Sequence, residues 1–570
     1  MGAPDESLKD MPAARFRETG GGATLALAAV PLVFLALFFY YPLGTVLSGG
    51  LTGPDGALSL ARLARVLGDP YYLRIIGFTF RQALLSTILS VALGLPGAWL
   101  LARFDFPLKG LVRALTTVPF VLPSIIVVLG FVRFFGNNGV LNSGLMRLLG
   151  LQEPPLRVLY SFQAILLAHA FYNFPIAARI VAALWSRLPS STEEAARSLG
   201  AHGAGLFFRV TLPQLAPALL AAGALIFIFC FLSFAVVLVL GGGPRFSTLE
   251  VEVYRLARVS LDLPAAGALA LVGAVLSLGF LWLYLRLASR ASFTEDLGGS
   301  NRRPLRELLA RPLAGLPALA YLLLLALLVL APILTVVLYS LQAHSGWSAA
   351  GWSLDWYRRL LAPGGVYLQA IRNSLLFGSL TVALSLPLGT LLAWLAARRR
   401  FPGSGLLEAV LMLPLGVSSV ILGLGYLKAY QALPWKLSGS WIAVVFAHTV
   451  VAYPFVVRAV SPVLRKLPAS LPEAARSLGA GPWQLFFRVE LPLLKGALIT
   501  GAAFAFGISV GEINATLMLS PPGVLTMPLA VYRLIGSYNF TGACAMGTVL
   551  MLACFLAFLA IETLGKEPRR

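Results

Sequence analysis

Apolar residues run along this chain in long blocks separated by short polar stretches. Twelve blocks stand out. Six lie near 24–48, 75–102, 111–136, 158–185, 215–240 and 265–288. Six more lie near 314–341, 370–397, 405–431, 440–464, 494–519 and 541–564. Each is long enough to cross a hydrocarbon core of ~30 Å at ~1.5 Å per residue. Backbone polar groups find no water at that depth, so helices, which pair their own, are the expected form. The pattern predicts an all-α integral membrane protein of about twelve transmembrane helices. The first block is too long for a signal-peptide core, and no small-residue cleavage site follows it, so it reads as a retained helix.

The polar stretches divide the chain. A tail covers 1–23, a linker covers 289–313 with Gly298, Gly299, Asn301 and Pro304, and a second tail covers 565–570. Between them lie two halves, 24–288 and 314–564, and these halves repeat. EAARSLG stands at 194–200 and again at 473–479, LFFRV at 206–210 and again at 485–489, all at one offset of 279 residues. The same offset pairs His169 with His448, Pro175 with Pro454 and Arg179 with Arg458. Upstream the offset is 295, pairing Phe106–Pro107 with Phe401–Pro402, Pro119 with Pro414 and Gly130 with Gly425. The change fits a longer external loop in the first half, around Asn137–Pro155. An even number of spans separates the EAARSLG copies, so the repeats are parallel, related by an axis along the membrane normal.

Composition narrows the function. The chain is 58% hydrophobic and 12% charged, with mean hydropathy +0.84, whereas a soluble domain carries about 25% charged residues. A large soluble enzyme is excluded. The net charge of +21 would point to nucleic acid on a soluble protein. Here most of the basic residues sit at the ends of apolar blocks, with no basic stripe interleaved with aromatics, so no nucleic-acid partner is expected. Lys and Arg, clearest at Arg302–Arg303 and Arg398–Arg399–Arg400, place both termini in the cytoplasm. Cys230, Cys544 and Cys554 lie in apolar segments without a CxxC pair, which suggests neither disulfides nor zinc. Gly565–Lys566 lacks the rest of a phosphate-binding loop, and neither a Ser-His-Asp set nor HExxH is found, so a non-catalytic chain is expected.

The repeated loops carry the chemistry. In the first, predicted over 188–213, Glu194, Ala195, Ala196 and Gly200 precede Val210, Leu212 and Pro213. In the second, predicted over 467–492, Glu473, Ala474, Ala475 and Gly479 precede Val489, Leu491 and Pro492. Glu and Ala favour a short helix, Ser190, Ser191 and Thr192 are available as caps, and glycine permits a sharp turn. This spacing resembles the EAA signature of binding-protein-dependent ABC permeases, with Val in place of Ile in both copies. LLAHAFYNFPIAAR at 166–179, the stretch 224–254 and YRLIGSYNF at 532–540 resemble the fused permeases of thiamine and ferric-iron importers. The resemblance implies two permease halves of the type I importer kind in the inner membrane of a bacterium. It implies two copies of an ABC ATPase that bind ATP and Mg and dock on the two loops, and one extracytoplasmic solute-binding protein. The substrate it implies is thiamine, with ferric iron close behind. The second half departs from thiamine permeases around Gly511–Asn514.

Ionisable residues within spans mark candidates for the path. Glu512 lies deep in the eleventh block, near Asn514, and its repeat partner is Ser233, beside Phe234 in the fifth. A structural pairing of Glu512 with a neighbouring helix stands as the alternative. His169 and His448 read as helix–helix hydrogen-bonding residues rather than metal ligands, since no second ligand is spaced beside either. Arg81 reads as paired or snorkelling. A secondary, ion-coupled transporter would share the hydropathy and the repeat, but it leaves the twin EAA loops unexplained. A membrane-embedded enzyme would need a catalytic cluster.

Overall fold

The computed structural model describes residues 29–564, apart from 53–56, 58, 106–108, 111–121, 291–302, 306, 308–311, 344–350, 399–409, 432–436, 469 and 482–483. Both tails, most of the linker with Gly298, Gly299, Asn301 and Arg302, and Arg399–Arg400 therefore lie outside the described residues. The first half contains α1 (Ala29–Gly50), α2 (Pro70–Arg103), α3 (Ser124–Phe135), α4 (Val140–Leu149) and α5 (Phe162–Trp185). It continues with α6 (Ser190–Ser198), α7 (Leu212–Phe231), α8 (Ala235–Leu240), α9 (Leu249–Tyr254) and α10 (Leu263–Arg290). The second half contains α11 (Pro312–Ser340), α12 (Val366–Arg398), α13 (Ser419–Ala429), α14 (Trp441–Lys466) and α15 (Ser470–Ser477). It ends with α16 (Lys495–Gly511), α17 (Asn514–Leu519), α18 (Met527–Gly536) and α19 (Phe540–Leu564).

Among the described residues, ten helices are long and apolar enough to cross a membrane, or twelve if each of two bent pairs counts as one span. The expected all-helical architecture holds, and three of the expected blocks are not straight. The 405–431 block bends by 105° between Gly416 and Ser419. The 215–240 block is α7 and α8 with an unwound step at Leu232–Phe234, and the 494–519 block is α16 and α17 with a step at Glu512–Ile513. Hydropathy misses these steps because apolar residues flank and partly form them. The long loop of the first half holds α4, and buried Asn142 closes it by bonding Gly136 O and both backbone groups of Leu156.

The halves interlock through their first helices. Helix α1 packs on α13 of the second half, and α11 packs on α3 of the first. The contact is close and the same on both sides. A Cβ on Gly130 would meet Pro332 O at 2.8 Å, and one on Gly425 would meet Pro42 O at 2.7 Å. Small residues let helices approach to this distance, which is how helices associate where burial from water is no driving force. Tyrosines reinforce the crossing: Tyr426 Oη donates to Phe38 O at 2.8 Å, Tyr40 Oη to Val410 O at 2.9 Å and Tyr321 Oη to Leu93 O at 2.7 Å. Phe38 lies in a π-helical stretch of α1, Ala36–Tyr40, whose loosened ladder leaves carbonyls to accept such bonds. Arg81 stacks against the rings of Phe78 and Phe162, with its guanidinium 5.2 Å from the latter's centre.

Gly425→Leu should therefore separate the halves, at a cost of about 1–3 kcal/mol from overpacking. Thermal unfolding in detergent should show a lowered midpoint for Gly425→Leu. Gly77→Leu, at a position where a Cβ meets nothing within 4 Å, should unfold as the parent does.

Candidate functional site

Each EAA segment forms a short helix ended by a glycine. Helix α6 starts behind Pro189, and no side chain caps it, so the expected serine or threonine cap is not used. After α6 the chain turns at Gly200, with φ of +87°, a conformation that glycine adopts without a Cβ clash. Gly200 N bonds Arg197 O at 2.9 Å and Ala201 N bonds Ala196 O at 2.9 Å, which together satisfy carbonyls left open at the helix end. Helix α15 ends the same way at Gly479, φ +83°, with Gly479 N on Arg476 O and Ala480 N on Ala475 O. Glu194, Ala195 and Ala196 thus lie on α6, and Glu473, Ala474 and Ala475 on α15. Leu212–Pro213 open α7. Leu491–Pro492 open a short helix, Leu491–Leu493, from which the chain bends by 72° into α16.

The knobs expose apolar surface that hydropathy did not single out. Leu199 and its repeat partner Leu478 are each 89% exposed, and Phe208 and Phe487 are exposed beside them. Glu194 and Glu473 are exposed as well. The residue that anchors the first knob is Glu193, which pairs with Arg103 at the end of α2 and lies 3.9 Å from Arg197. Pro472 takes its place in the second half. There Glu490 does the anchoring, accepting from Trp394 Nε1 at 2.9 Å. The two acidic neighbours at 193–194 look alike in sequence, and only the fold tells the inward one from the outward one.

The unwound steps are held by the two histidines. His169 Nδ1 meets Ser86 of α2 at 3.0 Å, and its Nε2 meets Ser233 in the step at 2.7 Å. His448 Nδ1 meets Ser509 at 2.9 Å, and its Nε2 meets Thr516 beyond the step at 2.9 Å. Thr516 donates its own proton to Glu512 O at 2.8 Å, so the network assigns the Nε2 proton of His448 as donor and Nδ1 as acceptor from Ser509. Both rings are buried and each joins neighbouring helices, as the sequence suggested. Among the described residues no group of three or more His, Cys, Asp or Glu converges as metal ligands would.

The four candidate path residues meet in one place. Ser233, Phe234, Glu512 and Asn514 all line a cavity of about 360 Å³ between the halves. Ser124 and the rings of Tyr172, Phe229, Phe455, Phe504 and Phe558 complete much of its wall. Glu512 Oε1 accepts from Ser419 Oγ at 3.1 Å and from Ala515 N at 2.9 Å. Asn514 Nδ2 donates to Ser419 Oγ at 3.3 Å, while its buried Oδ1 finds no partner among the described residues. The C-terminal ends of α7 and α16 and the N-terminal ends of α8 and α17 meet at this cavity, so their opposite partial charges largely offset one another. One carboxyl group, an open acceptor and a ring of aromatic faces suit a flat cation. Sequence reading missed Ser124, which lines the cavity, and Ser419, which bonds Glu512, because a lone serine in an apolar block carries no signal of its partner.

The sequence profile described as "Binding-protein-dependent transport system inner membrane component" matches residues 94–293 and 385–568, once per half. The chain belongs to this family. As a binding-protein-dependent permease, it is the membrane subunit of an ABC importer, multi-pass in the inner membrane and non-catalytic. The permease is 30% identical over 535 residues to the thiamine transport system permease protein ThiP of Salmonella typhimurium, covering 93% of this chain and 95% of that one. It is 30% identical to ThiP of Escherichia coli over 87% of this chain and 90% of that one. Among solved structures, a chain of a bacterial ABC transporter involved in import of the acidic polysaccharide alginate is similar over 48% of the permease and 96% of its own length. The TM-score is 0.40 and the identity 17%.

Positive φ at the knob turns gives the permease a local test. Gly200→Ala and Gly479→Ala should each cost about 1–2 kcal/mol, because an L residue is strained there even though space is free. Hydrogen exchange should speed up over 190–201 or 470–480 and stay unchanged in the spans.

Proposed function

We infer that the permease passes an organic cation, thiamine ahead of ferric iron, through the cavity between its broken helices. Glu512 among aromatic rings is the observation that carries this reading. Thiamine joins a positively charged thiazolium to an aminopyrimidine. The thiazolium suits aromatic faces and a carboxylate, and the amine suits an open acceptor such as Asn514 Oδ1. Ferric iron, a hard cation, calls for several oxygen ligands, whereas the lining offers one carboxylate. Relatives that carry the thiamine permease name over nearly their whole length support the same choice.

The driving force comes from partners. Two copies of an ABC ATPase bind ATP and Mg and dock on the knobs, where Glu194 and Glu473 stand beside exposed Leu199 and Leu478. An extracytoplasmic solute-binding protein delivers the substrate to the opposite face. Lys and Arg at the span ends support this orientation, with knobs and both termini in the cytoplasm. On this reading Leu212–Pro213 and Leu491–Pro492 pass the motion of the knobs into α7 and toward α16.

Uptake by the permease reconstituted with its ATPase and binding protein tests the proposal. Thiamine should accumulate with ATP, and Glu512→Gln should cut uptake about tenfold, the equivalent of ~1.4 kcal/mol. Uptake of ferric iron in place of thiamine, or thiamine uptake by the chain alone from an ion gradient, would overturn it. A second arm tests the docking role. Lysine at both 194 and 473 should abolish ATPase attachment while the spans still insert, and intact transport would remove that role.

A further inference from the structure

One buried carboxylate has no part in the path or the knobs. Glu250, on the short helix α9 of the first half, is 1% exposed. Its hydrogen-bond donor is the hydroxyl of Ser418, in the second half. The nearby cation just past the helix is taken by Glu252, which pairs with Arg255 and accepts from Tyr71 Oη at 3.1 Å. A buried carboxylate held by a hydroxyl is costly to keep, and such groups within a membrane protein commonly serve its function.

Anchoring of the helix does not supply that role. TLEVEVYRL at 248–256 repeats as TMPLAVYRL at 526–534, so α9 and α18 are counterparts. Each is held at its start in the same way. Leu249 N donates to Thr79 Oγ1 at 2.9 Å, and Met527 N donates to Ser374 Oγ at 2.8 Å, with Thr79 and Ser374 themselves a repeat pair. The position matching Glu250 is Pro528, which bears no polar side chain. The scaffold is therefore symmetric, and the carboxylate is an addition to the first half.

Its partner leads to the cavity. Ser418 lies in the 105° bend and Ser419 is the first residue of α13. Ser418 Oγ accepts from Val420 N at 3.0 Å, capping α13, while it donates to Glu250. Ser419, the next residue, donates to Glu512 at 3.1 Å and receives Asn514 at 3.3 Å. Two adjacent hydroxyls at this bend thus hold a carboxyl group each, Glu250 from one half and Glu512 from the other. We propose that Glu250 is a positioning residue for transport: through Ser418 and Ser419 it fixes Glu512 in the cavity, so that α9 and the cavity carboxylate shift together. This rests on the reading of Glu512 as part of the path.

A double-mutant cycle in the reconstituted transporter, with ATPase and binding protein present, tests it. Glu250→Ala should raise the thiamine concentration for half-maximal uptake about fivefold and leave the maximal rate near the parent's. Combined with Glu512→Gln, it should add nothing further. Glu250→Gln keeps an acceptor for Ser418 and should restore the parent value. Ser418→Ala breaks the relay from the other side, and should give the same shift and the same masking even if Glu250→Ala fails to assemble. An impaired Glu512→Gln chain on which Glu250→Ala and Ser418→Ala act with undiminished effect overturns the relay alone. Equal damage from the Ala and Gln changes at Glu250 does the same. Unchanged uptake in Glu512→Gln overturns the cavity reading, and the relay with it.

Discussion

A chain that interrupts its helices inside a bilayer has to satisfy the backbone groups that the helix no longer pairs, because the hydrocarbon offers no water. The rest of this structure is arranged around that requirement. The fifth and eleventh blocks unwind at Leu232–Phe234 and Glu512–Ile513. Gln82 Nε2 donates to Cys230 O just before the first step and Thr516 Oγ1 donates to Glu512 O in the second, while a buried histidine beside each step bonds two hydroxyls. Such steps persist only where protein or a cavity surrounds them, and here both conditions are met at one place. The histidines are thus scaffold, and the cavity lies beside the steps that they hold.

Symmetry is kept where the halves are built and given up where they meet the cavity. Gly130 and Gly425 fit against the partner half at nearly the same distance, and Gly200 and Gly479 turn with nearly the same φ. His169 and His448 occupy matched sites. Yet His169 bonds Ser233 itself, whereas His448 bonds Thr516, one turn past the Ser233 equivalent. That shift frees the side chain at 512 to be a carboxylate that bonds Ser419 instead. A single displaced hydrogen bond leaves a twofold scaffold with a carboxyl group on one side of the cavity only.

Much of this was legible in the sequence, and the remainder has a physical reason for being hidden. Long apolar blocks and the repeated EAARSLG gave the helices, the two halves and the knobs, because membrane helices and glycine turns write themselves into local composition. Ser233, Phe234, Glu512 and Asn514 could be named as a set because a carboxylate in an apolar block is expensive. The steps that bring them together were not visible, since Leu232, Phe234 and Ile513 are as apolar as a helix would be. Nor could the inward Glu193 be told from the outward Glu194, or the hydroxyls of Ser418 and Ser419 be noticed. Their roles depend on partners such as Arg103, Glu250 and Glu512, which lie far away in sequence.

A substrate path through this cavity requires that it open to each side of the membrane in turn, and thiol accessibility measures that directly. With Cys230, Cys544 and Cys554 replaced by alanine, Ser233→Cys places one thiol on the cavity wall. A hydrophilic, membrane-impermeant thiol reagent is then applied to either side of vesicles carrying the full transporter. The thiol should react from one side without ATP and from the opposite side when the ATPases are trapped with ATP. Protection in both states, or reaction from the same side whatever the nucleotide, would contradict a path through this cavity.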